Sequence, residues 1–169
     1  SDKPEDVDAY RVSELVADVN ALIDALGRER CALVGHDWGG AIAWAFAIAH
    51  PQRVERLVIL NAPHPVLFAQ ALAHDARQQA ASAYMNFLRR PDSETVLARD
   101  DFARLDAMLE SMGGASWLDA ARRAEYHEAW RTPGALAAAV NYYRASPLHP
   151  PGEGEAAARP LTLDASRFV

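Results

Sequence analysis

Gly35, Gly39 and Gly40 crowd around Asp37 where a short apolar run passes into Ala-rich helical text, and this junction constrains the fold more than any other feature. The run, residues 31–34, reads Cys-Ala-Leu-Val, as expected of a strand buried on both faces of a parallel sheet. Residues 39–50 then carry Ile42, Ala43, Trp44, Phe46, Ala47 and Ile48 and stop at Pro51, which predicts a helix. A strand that becomes a helix within a few residues forces a strained bend where only small neighbours fit. Such a bend presents its central side chain at the carboxyl end of the strand and the N-terminus of the helix, where a negative charge is favoured. Two roles are open to Asp37 there: a nucleophile at the apex, or a cap that accepts backbone N–H bonds.

The flanking text extends the same grammar. Upstream, Val12, Leu15, Val16, Val19, Leu22, Ile23 and Leu26 fall three or four apart on one helical stripe that ends at Gly27. Downstream, Val54–Leu60 reads as a second strand closed by Asn61-Ala62-Pro63. Helix, strand, helix, strand with short joints predicts an α/β fold with a parallel sheet. After Pro65 the grammar changes to about 80 residues without a β-branched run, punctuated at Pro91, Gly113-Gly114 and Pro133-Gly134. This predicts a helical insertion, with helices at 67–80, 84–88, 93–112, 120–130 and 134–144. Residues 147–160, rich in Pro, Gly, Glu and Ala, read as an exposed connector, and 161–169 as chain returning toward a sheet. The expected organisation is a core at 1–64, a lid at 65–148 and a connector at 149–169.

Composition narrows the function classes. The chain is 50% hydrophobic with a net charge of −6, which argues against nucleic-acid or anionic-membrane binding, since phosphate recognition relies on clustered Lys and Arg. Arg89-Arg90 and Arg122-Arg123 read as solvated helix faces. No apolar stretch reaches the roughly 18 residues that span a bilayer. One cysteine, Cys31, reads as a small buried hydrophobe and fits a cytoplasmic location. Nothing specifies an oligomeric state.

Gly35-His36-Asp37-Trp38-Gly39-Gly40, followed by His50-Pro51 and Asn61-Ala62-Pro63-His64-Pro65, resembles the nucleophile elbow and following segments of the α/β-hydrolase fold family, with Asp where ester hydrolases carry Ser. Within it the chain resembles the soluble epoxide hydrolase branch, to which haloalkane dehalogenases are closely related. Ser1-Asp2-Lys3-Pro4 resembles the loop after the fourth strand of those enzymes. The resemblance implies a partial parallel sheet with a helical lid insertion. It also implies an interior portion of a longer enzyme: no His-Gly-x-Pro precedes Ser1, and the acid and His expected of a triad would follow Val169. The implied activity is the opening of a hydrophobic small-molecule epoxide to a vicinal diol through an alkyl ester on Asp37, with the Trp38 backbone N–H as one oxyanion donor.

The chemistry accounts for these residue types. A carboxylate nucleophile suits displacement at saturated carbon and leaves an ester that water must cleave. An epoxide oxygen leaves as an alkoxide and needs a proton, which a tyrosine in an apolar pocket can give, whereas a halide leaves without one. Ala83-Tyr84-Met85-Asn86-Phe87 and Asn141-Tyr142-Tyr143-Arg144 resemble the segments bearing the paired lid tyrosines, which makes Tyr84 and Tyr143 the donors. Trp38, Phe87 and Tyr142 are the expected pocket residues, although ordinary helical packing also accounts for lid aromatics. None of the six histidines matches the general base: His36 adjoins the nucleophile, His50 and His64 close a helix and follow a strand, and His74, His127 and His149 read as solvated surface. Carboxylate, water, His and tyrosine complete the chemistry, so no metal or organic cofactor is implied. A haloalkane dehalogenase and a non-catalytic binder of hydrophobic small molecules are the alternatives.

Overall fold

The computed structural model describes residues 2–113 and 116–152. The expected return toward a sheet at 161–169 and most of the connector lie outside the described residues. Helix α1, Val12–Ala25, buries Val16 and Ile23, and its end is closed by Gly27 in the left-handed region at φ 65°. Strand β1, Cys31–His36, runs two residues past the apolar run before the chain turns into helix α2, Trp38–Ala49. After Pro51, strand β2, Val54–Leu60, lies parallel to β1 with Leu33 beside Leu57 and Gly35 beside Ile59. Phe46 of α2 is fully buried against Val16 and Ile23, with Cys31, Leu33, Ile42 and Val54 packed around them, so both helices cover one face of the strand pair.

The other face is open. Val34, Val58 and Leu60 are 63%, 47% and 51% exposed, so among the described residues the strands are covered on one face and not on two, as the unbroken apolar runs suggested.

After β2 the described residues are helical: α3 Pro65–His74, α4 Ala76–Ala81, α5 Ala83–Leu88, α6 Ser93–Leu97, α7 Arg99–Gly113, α8 Ala120–Arg131 and α9 Ala135–Ala145. Two long helices expected from sequence are each split. The first breaks at Asp75, whose carboxylate accepts the N–H groups of Arg77 and Gln78 and starts α4 as a cap. The second breaks at Ala98, and Asp100, Asp101 and Phe102 then take positive φ, which buries Phe102 against His127 and Trp130. A second core gathers Leu88, Leu97 and Val140 with Phe87, Leu105, Met108, Leu136 and Tyr143.

Polar contacts fasten these helices. Arg144 of α9 pairs with Glu94 and donates to the Arg90 carbonyl at 2.7 Å. Arg89 donates to the Tyr143 carbonyl at 2.7 Å and to that of Ser146. Arg123 pairs with Asp106 and, at 2.7 Å, with Glu110. Arg89 and Arg123 are therefore engaged in tertiary contacts, not on solvated faces, while Arg90 and Arg122 are exposed. His127, expected at the surface, is buried, with Nε2 3.0 Å from Asp106 and Nδ1 3.4 Å from Asp101.

Candidate active site

The bend at Asp37 is built from its neighbours. A Cβ on Gly35 would lie 2.3 Å from the Gly39 carbonyl oxygen and 2.8 Å from the Gly40 Cα, and a Cβ on Gly40 would lie 2.6 Å from that of Ala62. Nothing stands within 4 Å of a Cβ on Gly39, so the steric demand falls on Gly35 and Gly40. Asp37 itself sits at φ 52° and ψ −123°, a conformation costing a residue with a side chain about 1–3 kcal/mol. Its N–H donates to the Leu60 carbonyl at 3.1 Å, which ties the bend to the end of β2. The Trp38 N–H donates to Asp37 Oδ2 at 2.7 Å. A single carboxylate at a helix start thus has the geometry of a cap while it remains exposed toward a cavity.

That cavity has a volume of about 770 Å³ and is lined by Asp37 and Trp38 from the bend, Phe68 from α3, Tyr84 and Met85 from α5, and Tyr143 from α9. Pro147 and Leu148 also line it, so the start of the expected connector folds over the cavity instead of trailing away. Phe87 and Tyr142, expected in the wall, are not among its lining residues. Phe87 belongs to the second core under the Arg104 guanidinium, 3.8 Å from its ring centre, and Tyr142 is wedged between Tyr10 and Trp38 at 5.2 Å and 5.6 Å. The spacing explains the miss. Phe87 lies three residues after Tyr84 but is turned inward by the Leu88 and Leu97 core, and Tyr142 is one residue from Tyr143 on a helix, where adjacent side chains diverge.

Tyr84 and Tyr143 do meet, with ring centroids 6.0 Å apart, and Tyr143 stands edge-on to Trp38 at 5.2 Å. Burial pushes the Tyr143 hydroxyl up to about 12, reinforced by Tyr84 and by the charge of Asp37 and opposed by a hydrogen bond with the Trp38 side chain. Burial also raises the Tyr84 hydroxyl, again with help from Asp37, while a hydrogen bond with Tyr143 lowers it. Both phenols are thereby held in the protonated form beside a carboxylate. No histidine lines the cavity among the described residues, and no cluster of His, Cys, Asp and Glu there could hold a metal ion. No helix among them is long and apolar enough to cross a membrane.

Comparison with known proteins adds to this geometry. Residues 1–150 match the family model for the alpha/beta hydrolase fold. The chain is 36% identical over 146 residues to the AB hydrolase superfamily protein YfhM of Bacillus subtilis, covering 86% of this chain and 51% of that protein. It is 35% identical over 150 residues to epoxide hydrolase 3 of Xenopus tropicalis, covering 85% and 41%. Among solved structures, the epoxide hydrolase of Bacillus megaterium in complex with an inhibitor superposes with a TM-score of 0.76 at 33% identity, covering 85% of this chain and 51% of that one. The chain thus spans two fifths to one half the length of these relatives.

Proposed function

Because this chain belongs to the α/β-hydrolase fold family, in its epoxide hydrolase-like branch, we propose that the full-length protein opens epoxides to vicinal diols through a covalent ester on Asp37. The observation that carries the reading is the convergence of Asp37, Tyr84 and Tyr143 on one largely apolar cavity, with the Asp37 charge reaching both hydroxyls.

In the first step a carboxylate oxygen of Asp37 attacks a ring carbon. The C–O bond to that carbon breaks, and the departing oxygen takes its proton from a lid tyrosine. In the second step water attacks the Asp37 carbonyl carbon and the acyl C–O bond breaks; of the two protons that water gives up, one goes to the departing alkoxide, which frees the diol, and one restores the tyrosine, while Asp37 returns as the carboxylate. The Trp38 N–H, already on Oδ2, donates to the oxyanion that forms there. This water needs a general base, and among the described residues no histidine lines the cavity. Phenols kept protonated favour epoxide over halide chemistry, because a departing alkoxide needs a proton and a departing halide does not. The lone thiol of Cys31 supports a cytoplasmic setting.

The test is single turnover of styrene oxide by the full-length protein in ¹⁸O water. Label is expected in the Asp37 carboxylate and turnover is expected to vanish in Asp37→Ala. Label confined to the diol indicates direct attack by water and overturns the ester, and halide release from a chloroalkane without diol formation assigns the protein to dehalogenation.

A further inference from the structure

One stretch of the cavity wall is polar and plays no part in the chemistry above. Ser82, at the joint between α4 and α5, is 3% exposed and lines the cavity, and so does Gln78 one turn earlier. The two side chains hydrogen-bond to each other, Gln78 Nε2 donating to Ser82 Oγ at 2.8 Å. Neither is spent on holding the lid together. The adjacent Gln79 does that work, donating from its amide to the carbonyls of Leu72 at 2.9 Å and Ala73 at 3.2 Å and so closing the end of α3. Two consecutive glutamines thus differ: one satisfies the backbone and the other faces the cavity.

The hydrogen-bond inventory of the pair leaves a surplus. With the Gln78 amide donating, the Ser82 hydroxyl proton, the second amide N–H and the Gln78 Oε1 acceptor are left over; with the amide turned over, the leftover groups are both amide N–H groups and the lone pairs of the Ser82 hydroxyl. In either orientation the pair keeps at least one donor and one acceptor at the wall of the cavity that both residues line. A polar pair in an apolar wall lowers affinity for a purely hydrocarbon ligand, since its groups lose water without replacement, and raises it for a ligand that supplies the missing bond. This placement differs from that of Ser146, whose Oγ already accepts the Leu148 N–H at 3.1 Å.

We propose that Gln78 and Ser82 form a specificity subsite that hydrogen-bonds an oxygen-bearing substituent, an alcohol or an ether, carried by the substrate away from its epoxide ring. The inference rests on the epoxide reading for the identity of the reacting group, but the subsite itself is a binding property and is tested as one. The probes are terminal epoxides of graded length that end in either a hydroxyl or a methyl group. Their affinities are measured on the full-length protein carrying Asp37→Asn, by quenching of tryptophan fluorescence, beside turnover by the unmodified protein.

At the best length the hydroxyl-ended member is expected to bind about 5- to 10-fold tighter than its methyl counterpart, the worth of one good hydrogen bond. Gln78→Leu and Ser82→Ala should each remove that preference, and Ser82→Thr, which keeps the hydroxyl, should retain it. Melting temperatures of the variants separate lost recognition from lost folding, and the Thr variant decides if Ser82→Ala fails to fold. A hydroxyl-to-methyl ratio near one at every length, or a preference that survives both truncations, overturns the subsite. If no epoxide turns over yet the ratio and its loss are as expected, the subsite stands and the reaction assignment falls.

Discussion

Trp38 and Tyr143 meet edge to face, with ring centroids 5.2 Å apart and planes at 87°, across the gap between the bend that carries Asp37 and α9. This contact couples the two halves of the candidate site. Trp38 binds the Asp37 carboxylate through its backbone N–H and packs on the Tyr143 ring through its side chain, so the proposed nucleophile and acid share one neighbour. The proposed chemistry needs that arrangement, because the proton must arrive as the ring bond breaks.

Removing either hydroxyl therefore has a measurable consequence. Tyr84→Phe and Tyr143→Phe are each expected to lower kcat/KM for styrene oxide by about 100-fold, within the range for loss of a general acid, and the double variant by more. Because the Tyr143 hydroxyl is raised to about 12, it stays protonated across the neutral range, and loss of its acid form should not depress the rate below pH 10. Single variants with unchanged rates would remove the tyrosines from the mechanism.

The elements that build the bend are legible in the sequence because they are local. The expected bounds of β2 coincide with those observed, and those of α1 and α2 agree to within one residue at each end. What was illegible depends on tertiary packing. His127 reads as surface from a helix rich in charge, yet Asp106 and Asp101 from α7 enclose its ring. Arg89 reads as half of a basic pair, yet it spans 54 positions to reach the Tyr143 carbonyl. The breaks at Asp75 and Ala98 lie inside long runs of good helix formers, where periodicity alone marks no end.

The glycines of the elbow are expected to separate sharply. Gly35→Ala forces a methyl into the backbone of Gly39 and should destabilise the protein by about 3 kcal/mol or more. Gly39→Ala meets open space on a helical residue and should be neutral or stabilising by up to about 1 kcal/mol. Urea denaturation of the two variants reads the difference, and equal losses would show that the close approach of the elbow backbone is misjudged.

Arg89 is expected to position the two tyrosines. Its guanidinium binds the carbonyls at the end of α9, where a positive charge also suits the helix dipole, and it springs from the residue that closes the Tyr84 helix. Arg89→Met should let the two tyrosines drift apart and lower kcat by about 10-fold with a smaller change in KM. Arg89→Lys should restore part of the loss, whereas a purely structural role predicts a lower melting temperature with kcat intact at low temperature.

The ion cluster between α7 and α8, centred on the buried Asp106 and His127, gives a pH dependence. Burial alone raises the Asp106 carboxyl, but hydrogen bonds from His127 and Arg123 outweigh it and hold the folded value below the ordinary 3.8. A depressed folded value stabilises fully above about 3.8, and that contribution is lost as pH falls through the lower folded value. Asp106→Asn should therefore lower the melting temperature at pH 7 by about 5 °C and flatten its decline on the acid side of pH 4. Parallel melting curves for the two proteins from pH 7 to about pH 2 would show that the pair contributes nothing.

The 169 residues on their own are expected to react without turning over. Asp37 and both tyrosines are present in one cavity, which on the proposed reaction suffices for attack on an epoxide and protonation of its oxygen. Cleavage of the resulting ester needs a base, and among the described residues no histidine lines that cavity. The isolated chain should accordingly gain the mass of one epoxide at Asp37 and release no diol over hours. It should also melt low and self-associate, because Val34, Val58 and Leu60 leave an apolar strand face open to water. Intact-mass spectrometry after incubation with styrene oxide, with diol release and light scattering followed in parallel, measures all three. Sustained diol release that Asp37→Ala abolishes would show that one of the histidines in this chain reaches the ester and serves as the base.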